Sequence, residues 1–564
     1  MDHQQADPAK CASRGNDSVE LKPSLSRIFS FDGADPPPVQ KQSSGRRVMR
    51  PASSFSRHGS SRRNASLRSG SLGRSTSRAS SHFCDIEVDE DMVDDRQSVI
   101  HGVIDEEMAV VPVVPPPAAA DVPGGKKPAL AGRSRLGVIL LDQGLFTVYK
   151  RLFVLFIALN ATGLALAAIG RFPYARAHAA VFAMGNILAL TLCRSEAVLR
   201  VVFWLAVTLF GRSWVPVLVK TGVTAILQSL GGVHSGCGMS SLAWLVYALV
   251  QVLQNRDVTP REIVGVASAI LGLLALSCMA AFPLVRHLHH NVFERTHRFA
   301  GWAALALLWA FVVLSAGYDP ATESYNNLTG AVLVKRQELW LTASITFFTI
   351  LPWLTVRRVP VTVTARSTHA SIITFHGGVK AGLLGRISRS PLSEWHAFGI
   401  ISDGGDTHAM LAGAVGDFTQ GLISDPPSSL WVRNVHFAGL PYLLNMYRRA
   451  TMVATGSGIC VFLSFLMQPG AAELSLVWVA KGIEANYGDE MKAAVSRSDQ
   501  LRGRVLVHDT AVMGRPNVAD LAVGAAKKWG AEVVIVTSNP EGSRDVVTGC
   551  NMAGIPAFGP IWDS

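Results

Sequence analysis

Between residues 150 and 357 the chain is a series of apolar runs, and charges fall mainly at their ends. A helix that crosses a bilayer needs roughly 20 mainly apolar residues. Runs of that length lie at about 152–170, 177–193, 232–253, 263–285, 298–316 and 338–356. They predict a polytopic α-helical membrane bundle of about six spans. One more apolar stretch, 198–228, is broken by Gly211-Arg212-Ser213 and by Lys220. It reads as an interfacial or re-entrant segment, or as an extra span. Charged residues make up only 16% of the 564 residues, against about 25% in a soluble protein.

Basic residues at the span ends set the orientation. Arg133, Arg135, Lys150 and Arg151 precede the first span. Arg194 and Arg200 follow the second, Arg286, Arg295 and Arg298 separate the fourth from the fifth, and Arg357, Arg358 and Arg366 follow the sixth. With six spans these share one side, expected to be cytoplasmic, and both termini lie there. The opposite loops carry Arg256 and Arg261, then Lys335 and Arg336. The sequon Asn327-Leu328-Thr329 falls on that outer side. The plasma membrane and an endomembrane both fit.

Residues 1–135 are rich in Ser, Arg, Pro and Gly and poor in aromatics. They read as a disordered cytoplasmic tail. Arg63 and Arg50 stand three residues before Ser66 and Ser53, a spacing that suits basophilic kinases or arises by chance. This tail carries many of the basic residues behind the net charge of +11, offset by acidic runs at Asp85–Asp95 and Asp105–Glu107. It faces anionic lipid more naturally than nucleic acid, for which no recognition motif accompanies it. The first 30 residues show no apolar signal-peptide core. Seven scattered cysteines without a CxxC pair argue against a disulfide framework or a zinc site.

After Arg366 short β-rich runs appear at Ala370–Phe375, His396–Ser402, His408–Leu411, Ala450–Ala454 and Leu474–Val479. The end alternates strand and helix: Val505–His508, a helix near 517–529, then Val533–Thr537. This predicts a β-barrel subdomain followed by an α/β subdomain.

Ionisable residues inside a membrane bundle each call for a functional reading. His234 opens the third span in Gly232-Val233-His234-Ser235-Gly236-Cys237-Gly238. His297 opens the fifth in Arg295-Thr296-His297-Arg298-Phe299-Ala300-Gly301. Both spans run outward, so the two imidazoles share a depth near the cytoplasmic face. Such a pair is able to ligate a haem iron axially, or to serve as hydrogen-bonded interfacial histidines. The small residues around His234 would let a flat macrocycle approach. His287, His289 and His290 read as solvated loop residues.

Four segments of the soluble part follow in order: Glu394-Trp395-His396-Ala397-Phe398-Gly399, Gly416-Asp417-Phe418-Thr419, Gly456-Ser457-Gly458 after an apolar strand, and Gly514-Arg515-Pro516-Asn517. A strand entering a Gly-rich turn and then a helix presents N–H groups to a pyrophosphate. The same turn also serves as a plain strand–helix connection. Arg515 is placed either against a cofactor phosphate or in a helix-starting loop.

In that order, residues 145 to 564 resemble the ferric reductase and NADPH oxidase superfamily, and most closely its TmpA-like integral membrane branch, with the ending Phe558-Gly559-Pro560-Ile561-Trp562-Asp563-Ser564. Related segments occur fused to adenylate-forming enzymes; no adenylation domain is expected in these residues. The resemblance implies a ferric-reductase-like bundle over 145–360, an FAD-binding-like barrel over 366–445 and an NAD(P)-binding-like α/β unit over 446–564. It implies FAD at His396, Phe398, Gly416 and Thr419, and NAD(P)H near Gly456, Gly458 and Arg515, with Lys481 towards a 2′-phosphate. It places Trp562 over the flavin ring and a haem b on His234 and His297.

The departures shape the expectation. Ala397 and Gly399 replace the family's Pro and Thr, Phe418 replaces Trp, and Val461 or Phe462 stands near the usual Pro. The outer haem's histidine positions hold Tyr247 or Ala248 and Ala310 or Phe311. At most a single inner haem is expected, and electrons have no stepping-stone to the outer face. The chain therefore reads as a membrane-bound NAD(P)H-dependent oxidoreductase. The alternative is a redox-inactive signalling or scaffold protein that kept the reductase fold.

Overall fold

The computed structural model describes residues 147–560, except 256–258, 327, 469, 497 and 499–500. All belong to one compact unit. The N-terminal tail with its Arg–Ser sites, the sequon residue Asn327, and Trp562 lie outside the described residues.

The helical part comprises α1 (Val148–Ala168), α2 (Pro173–Ala177), α3 (Ala179–Leu192), α4 (Glu196–Phe210), α5 (Val217–Gln228), α6 (Leu230–Gln254), α7 (Arg261–Ala280), α8 (Pro283–Leu288), α9 (His290–Gly317), α10 (Gly330–Lys335) and α11 (Gln337–Leu354). Among the described residues, four helices are long and apolar enough to cross a membrane: α1, α6, α7 and Val292–Gly317 of α9. The other two expected spans differ. The second becomes α3, whose 14 residues reach about 21 Å, short of a hydrocarbon core of about 30 Å. Gly170 ends α1 in a left-handed conformation, and Pro173 starts a separate short helix before α3. The last becomes α11, 18 residues that open on Gln337 and Glu338.

The ambiguous stretch 198–228 forms α4 and α5, a helical hairpin. Its arms of 15 and 12 residues reach about 22 and 18 Å, so neither crosses. α6 packs against α1 and α3, α9 against α7, and α11 against α3. Gly232 and Gly236 set the α1–α6 approach. A Cβ at Gly232 would collide with the Tyr149 carbonyl oxygen, and one at Gly236 would lie 3.1 Å from that of Phe153. Inside, Asn186 donates to Asn160 Oδ1 at 2.8 Å, and so does Trp244 Nε1 at 3.0 Å. This satisfies polar groups that lipid would leave unpaired.

The chain then enters a near-barrel of antiparallel strands: β1 (Val356–Pro360), β2 (Thr362–Thr364), β3 (Ala370–His376), β4 (Leu383–Ser388), β5 (His396–Ile401), β6 (Thr407–Gly413), β7 (Ser429–Arg433) and β8 (Phe437–Ala438). Their order is β1-β7-β4-β5-β6-β3-β2, with β8 on β4. Helix α12 (Asp417–Ser424) lies between β6 and β7. The last unit is a parallel sheet of β9 (Arg449–Thr455), β10 (Glu473–Ala480), β11 (Val505–Asp509), β12 (Val533–Thr537) and β13 (Ala557–Phe558), in the order β11-β10-β9-β12-β13. Its connections include α13 (Cys460–Met467), α14 (Val518–Trp529) and α15 (Pro540–Met552). Strand order reverses between β9 and β12, and the C-terminal ends of strands at such a point form a ligand crevice. A near-barrel followed by a doubly wound parallel sheet is the two-part arrangement that the strand pattern after Arg366 predicts.

Candidate functional site

The bundle brings His234 of α6 and His297 of α9 together, with ring centroids 6.3 Å apart and planes at 53°. Two imidazoles on opposite sides of one metal, each bonded at about 2 Å, place their centres roughly 6 Å apart. His234 Nδ1 is 3.0 Å from the Leu190 carbonyl oxygen. His297 Nδ1 is 2.8 Å from Ser277 Oγ and 3.2 Å from the Ser277 carbonyl oxygen. With the proton on Nδ1, each ring donates to a carbonyl and turns its Nε2 lone pair outward. That tautomer suits a metal ligand, and the carbonyl fixes the ring's direction.

Both histidines line a cavity of about 780 Å³ whose walls are mostly apolar. Lys150, Arg286 and Arg298 also line it, Arg298 pairing with Glu294 and donating to the Leu392 carbonyl oxygen at 3.3 Å. One helical turn beyond each histidine stands a glycine, Gly238 after His234 and Gly301 after His297. Both line the cavity, and a Cβ on either would meet nothing within 4 Å. Those two positions leave open space in the cavity the imidazoles line. The small residues around His234 divide: Gly232 and Gly236 serve helix contact, while Ser235 and Gly238, with Gly301, border the cavity. The residues present fit a bis-histidine haem.

Further along the bundle, Met184, Ile270, Leu308, Val312 and Ile345 pack together with Phe311. Tyr247 packs instead beside Trp244 and the alanines Ala167, Ala175, Ala179 and Ala183.

On the barrel, His396 and Phe398 lie on β5. Gly416 and Thr419 sit at the start of α12, because Thr419 Oγ1 accepts from the backbone N–H groups of Val415 and Gly416, both at 3.1 Å. Phe418 turns inward and stacks on His396, centroids 4.0 Å apart at 17°. It also lies over Phe398 at 6.5 Å. So the structure gathers these motif residues at one end of β5. Gly399 has a different neighbour: a Cβ there would lie 2.7 Å from Val461 Cγ1 and 2.8 Å from Val461 Cα. The missing hydroxyl at this position thus accompanies close packing of α13 onto β5. Ser464 of α13 donates to the Ile400 carbonyl at 2.6 Å and accepts from Ser402 N–H at 2.9 Å. Gln468 Nε2 donates to the carbonyls of Val379 and Ser402, both at 2.8 Å. Barrel and sheet are fixed to each other along this seam.

Gly456 and Gly458 form the turn from β9 into α13, at the point where strand order reverses. Gly456 adopts φ +53°, and a Cβ on Gly458 would lie 2.7 Å from the Thr537 carbonyl oxygen of β12. Lys481 is exposed just past β10. Asp509, at the end of β11, accepts from the N–H groups of Gly482 and Ile483, both at 2.8 Å, and of Ala511 at 2.9 Å. Burial pushes its carboxyl up, but these three bonds outweigh it and hold the pKa below the usual range. Arg515 is exposed beside Gly514 (φ +72°), and Asn517 caps α14.

One cluster escaped the sequence reading. Glu196, at the start of α4, is buried and accepts from Arg386 Nε of β4 at 2.5 Å and Arg433 Nη1 of β7 at 2.8 Å. Arg433 also lies over the Trp395 ring at 4.8 Å. Arg200 donates to the His436 carbonyl oxygen at 3.3 Å, and Thr224 pairs with Tyr447 at 2.8 Å. Gln228 donates to the Gly559 carbonyl oxygen. A single Glu before an apolar helix gave no signal of partners about 190 and 237 residues away.

Residues 440–564 match the family model described as "Adenylate-forming reductase 03009, C-terminal domain". Adenylate-forming reductase 03009 of Coprinopsis cinerea is 33% identical over 430 residues, covering 75% of this chain and 41% of that protein. Adenylate-forming reductase 06235 of the same organism is 34% identical over 432 residues, with the same coverage. The chain thus spans about two fifths of the length of these relatives. Among solved structures, flavohemoglobin from Malassezia yamatoensis, with bound FAD and heme, is 13% identical over 66% of this chain and 98% of its own, with a TM-score of 0.31. Ferredoxin-NADP+ reductase from Plasmodium falciparum, with 2′P-AMP, is 10% identical over 36% of this chain and 94% of its own, with a TM-score of 0.28. TM-scores this low add nothing to the strand order described above. The sequence matches tie residues 440–564 to the C-terminal domain of adenylate-forming reductases, and three quarters of the chain to part of two such proteins.

Proposed function

We propose that this chain is a membrane-held reductase module that passes electrons from NAD(P)H through FAD to one haem b on the inner side of its bundle. The observation that carries the reading is the His234–His297 pair, with each Nδ1 at a carbonyl and bare glycines beside the shared cavity.

In this reading His234 and His297 would offer Nε2 to a haem iron, and Lys150, Arg286 and Arg298, the last shared with Glu294, would supply positive charge for its propionates. A bound haem supplies one-electron storage. His396, Phe398, Gly416 and Thr419 hold the flavin, and Gly456, Gly458 and Arg515 hold the nicotinamide nucleotide. Met184, Phe311 and Val312 pack beyond the cavity, whose wall includes Leu308 and Ile345, so reduction would occur on the side of the histidines and not at the opposite face. Both termini would then be cytoplasmic. In the two relatives the matching part joins further chain, and their names make a reducing role for it natural.

The test is anaerobic addition of NADPH or NADH to full-length protein loaded with haem and FAD. Appearance of the reduced-haem α band supports the reading, and a fully reduced flavin with haem still oxidised contradicts it. A second reading, a redox-inactive scaffold, is favoured by one observation: Val461 packs where the family's threonine would stand. Failure to bind FAD at all would select it.

A further inference from the structure

We propose that the α4–α5 hairpin is a monolayer anchor, lying in the headgroup and upper acyl region of one leaflet and clamping the barrel to the lipid surface. This rests on the reading that α1, α6, α7 and α9 cross a membrane.

The first argument is the hairpin's inverted amphipathicity. On a helix in water the apolar stripe faces the protein and the polar one faces out. In α5 the buried positions include Lys220 and Thr224, while Leu218, Val219 and Ile226 are exposed, Leu218 by 83%. In α4 Glu196 is buried together with Phe203 and Ala206, and the exposed face runs Val201, Trp204, Leu205 and Leu209. The α4 positions recur at three- and four-residue spacing, so on that helix they form one continuous stripe. Trp214, in the turn, is 78% exposed. Arg212 stands beside it, exposed.

The hydroxyls on this outer side are satisfied within their own helix. Thr208 donates to the Trp204 carbonyl at 2.8 Å and Thr221 to the Leu218 carbonyl at 3.0 Å. With those bonds made, neither hydroxyl needs water, as hydrocarbon requires.

The occupant follows from continuity. α5 runs through Ser229 directly into α6, a candidate span, and α4 begins shortly after α3. The apolar stripe therefore continues the lipid-facing surface of the spans. Tryptophan and arginine at the turn suit the headgroup level. Helices too short to cross, with a wide apolar face, lie about 5–10 Å into the headgroup boundary. The same hairpin holds the barrel through buried Glu196 and through Arg200, and meets Tyr447 beyond the barrel through Thr224, so the lipid surface fixes where the reductase-like module sits.

The experiment uses the full chain in nanodiscs whose lipids carry bromine either at a shallow acyl position or near the chain end. Tryptophan emission of the wild type is compared with a Trp204→Phe/Trp214→Phe variant, and the difference isolates those two rings. Shallow bromine is expected to quench the difference signal about twofold more than deep bromine, as a ring at the interface requires. Stronger quenching by deep bromine would make the segment a span and overturn the proposal. Quenching of the remaining tryptophans, with none in the difference signal, would also overturn it, leaving a water-exposed face or a protein partner. If no tryptophan is quenched, the membrane reading itself fails.

Discussion

Glu196→Ala tests how the hairpin grips the soluble module. One carboxylate holds two guanidinium groups, Arg386 at 2.5 Å and Arg433 at 2.8 Å. Its side chain is 7% exposed, against 31% for Arg386 and 17% for Arg433. At an effective dielectric of about 20, each pair at about 4 Å is worth roughly 4 kcal/mol before desolvation. Removing one partner of a buried pair typically costs about 3–5 kcal/mol, because the stranded charge stays buried. The partial exposure of Arg386 lets water screen it, so about 2–4 kcal/mol is expected here. In full-length protein in nanodiscs this corresponds to a fall in the melting temperature of the C-terminal module of roughly 5–12 °C. A double-mutant cycle with Arg386→Ala should return a coupling energy of at least about 1 kcal/mol. A shift within about 0.5 kcal/mol for Glu196→Ala, the size of an ordinary surface substitution, would refute the reasoning.

Acid should weaken the barrel through its histidine pair. Burial, then His408 and Arg200, hold the His436 pKa down to about 4, and burial lowers that of His408 although its bond to the Gly377 carbonyl opposes this. The unfolded chain then takes up protons first, near pH 6.5, so stability is full above that value and falls as pH drops towards 4. Melting curves from about pH 7 to about 4.5 should show this slope, and His436→Gln should flatten it; an unchanged slope would remove His436 from the account. Ser464→Ala deletes one donor and one acceptor in the buried seam and should cost about 1–3 kcal/mol. Hydrogen exchange at the Ser402 amide should speed up accordingly, and unchanged protection would show that the seam does not depend on it. Gly399→Thr would restore the family's residue but force atoms onto Val461, and should destabilise by about 1–3 kcal/mol without tightening FAD binding. A stable variant with tighter FAD binding would show that the seam yields.

The strands that sequence made legible are those rich in β-branched and aromatic residues, such as β3, β9, β10 and β12, whose extents lie within a residue or two of expectation. β4 gave no such signal, because Gly385 and Arg386 interrupt it; Arg386 is there to meet Glu196. β1, with Arg357, Arg358 and Pro360, pairs only with β7 at the sheet edge, where proline is tolerated. In the bundle, periodicity identified apolar segments but could not set their lengths against Pro173 and Gly170. It also left the hairpin undecided, since an inward polar stripe and an outward apolar one appear only once burial is known. His234 and His297 were visible as histidines in apolar helices. The glycine one helical turn after each was equally visible, but nothing in sequence separates a glycine at a helix contact from one facing a cavity.

The central claim concerns that pair. The most direct measurement is the electron paramagnetic resonance spectrum of ferric haem in purified, haem-reconstituted full-length protein, alongside its Soret absorption. A low-spin bis-histidine signal is predicted in the wild type, lost in both His234→Ala and His297→Ala, and lost in Gly301→Leu, which fills the space while keeping both ligands. A low-spin signal that survives either histidine substitution would contradict the account.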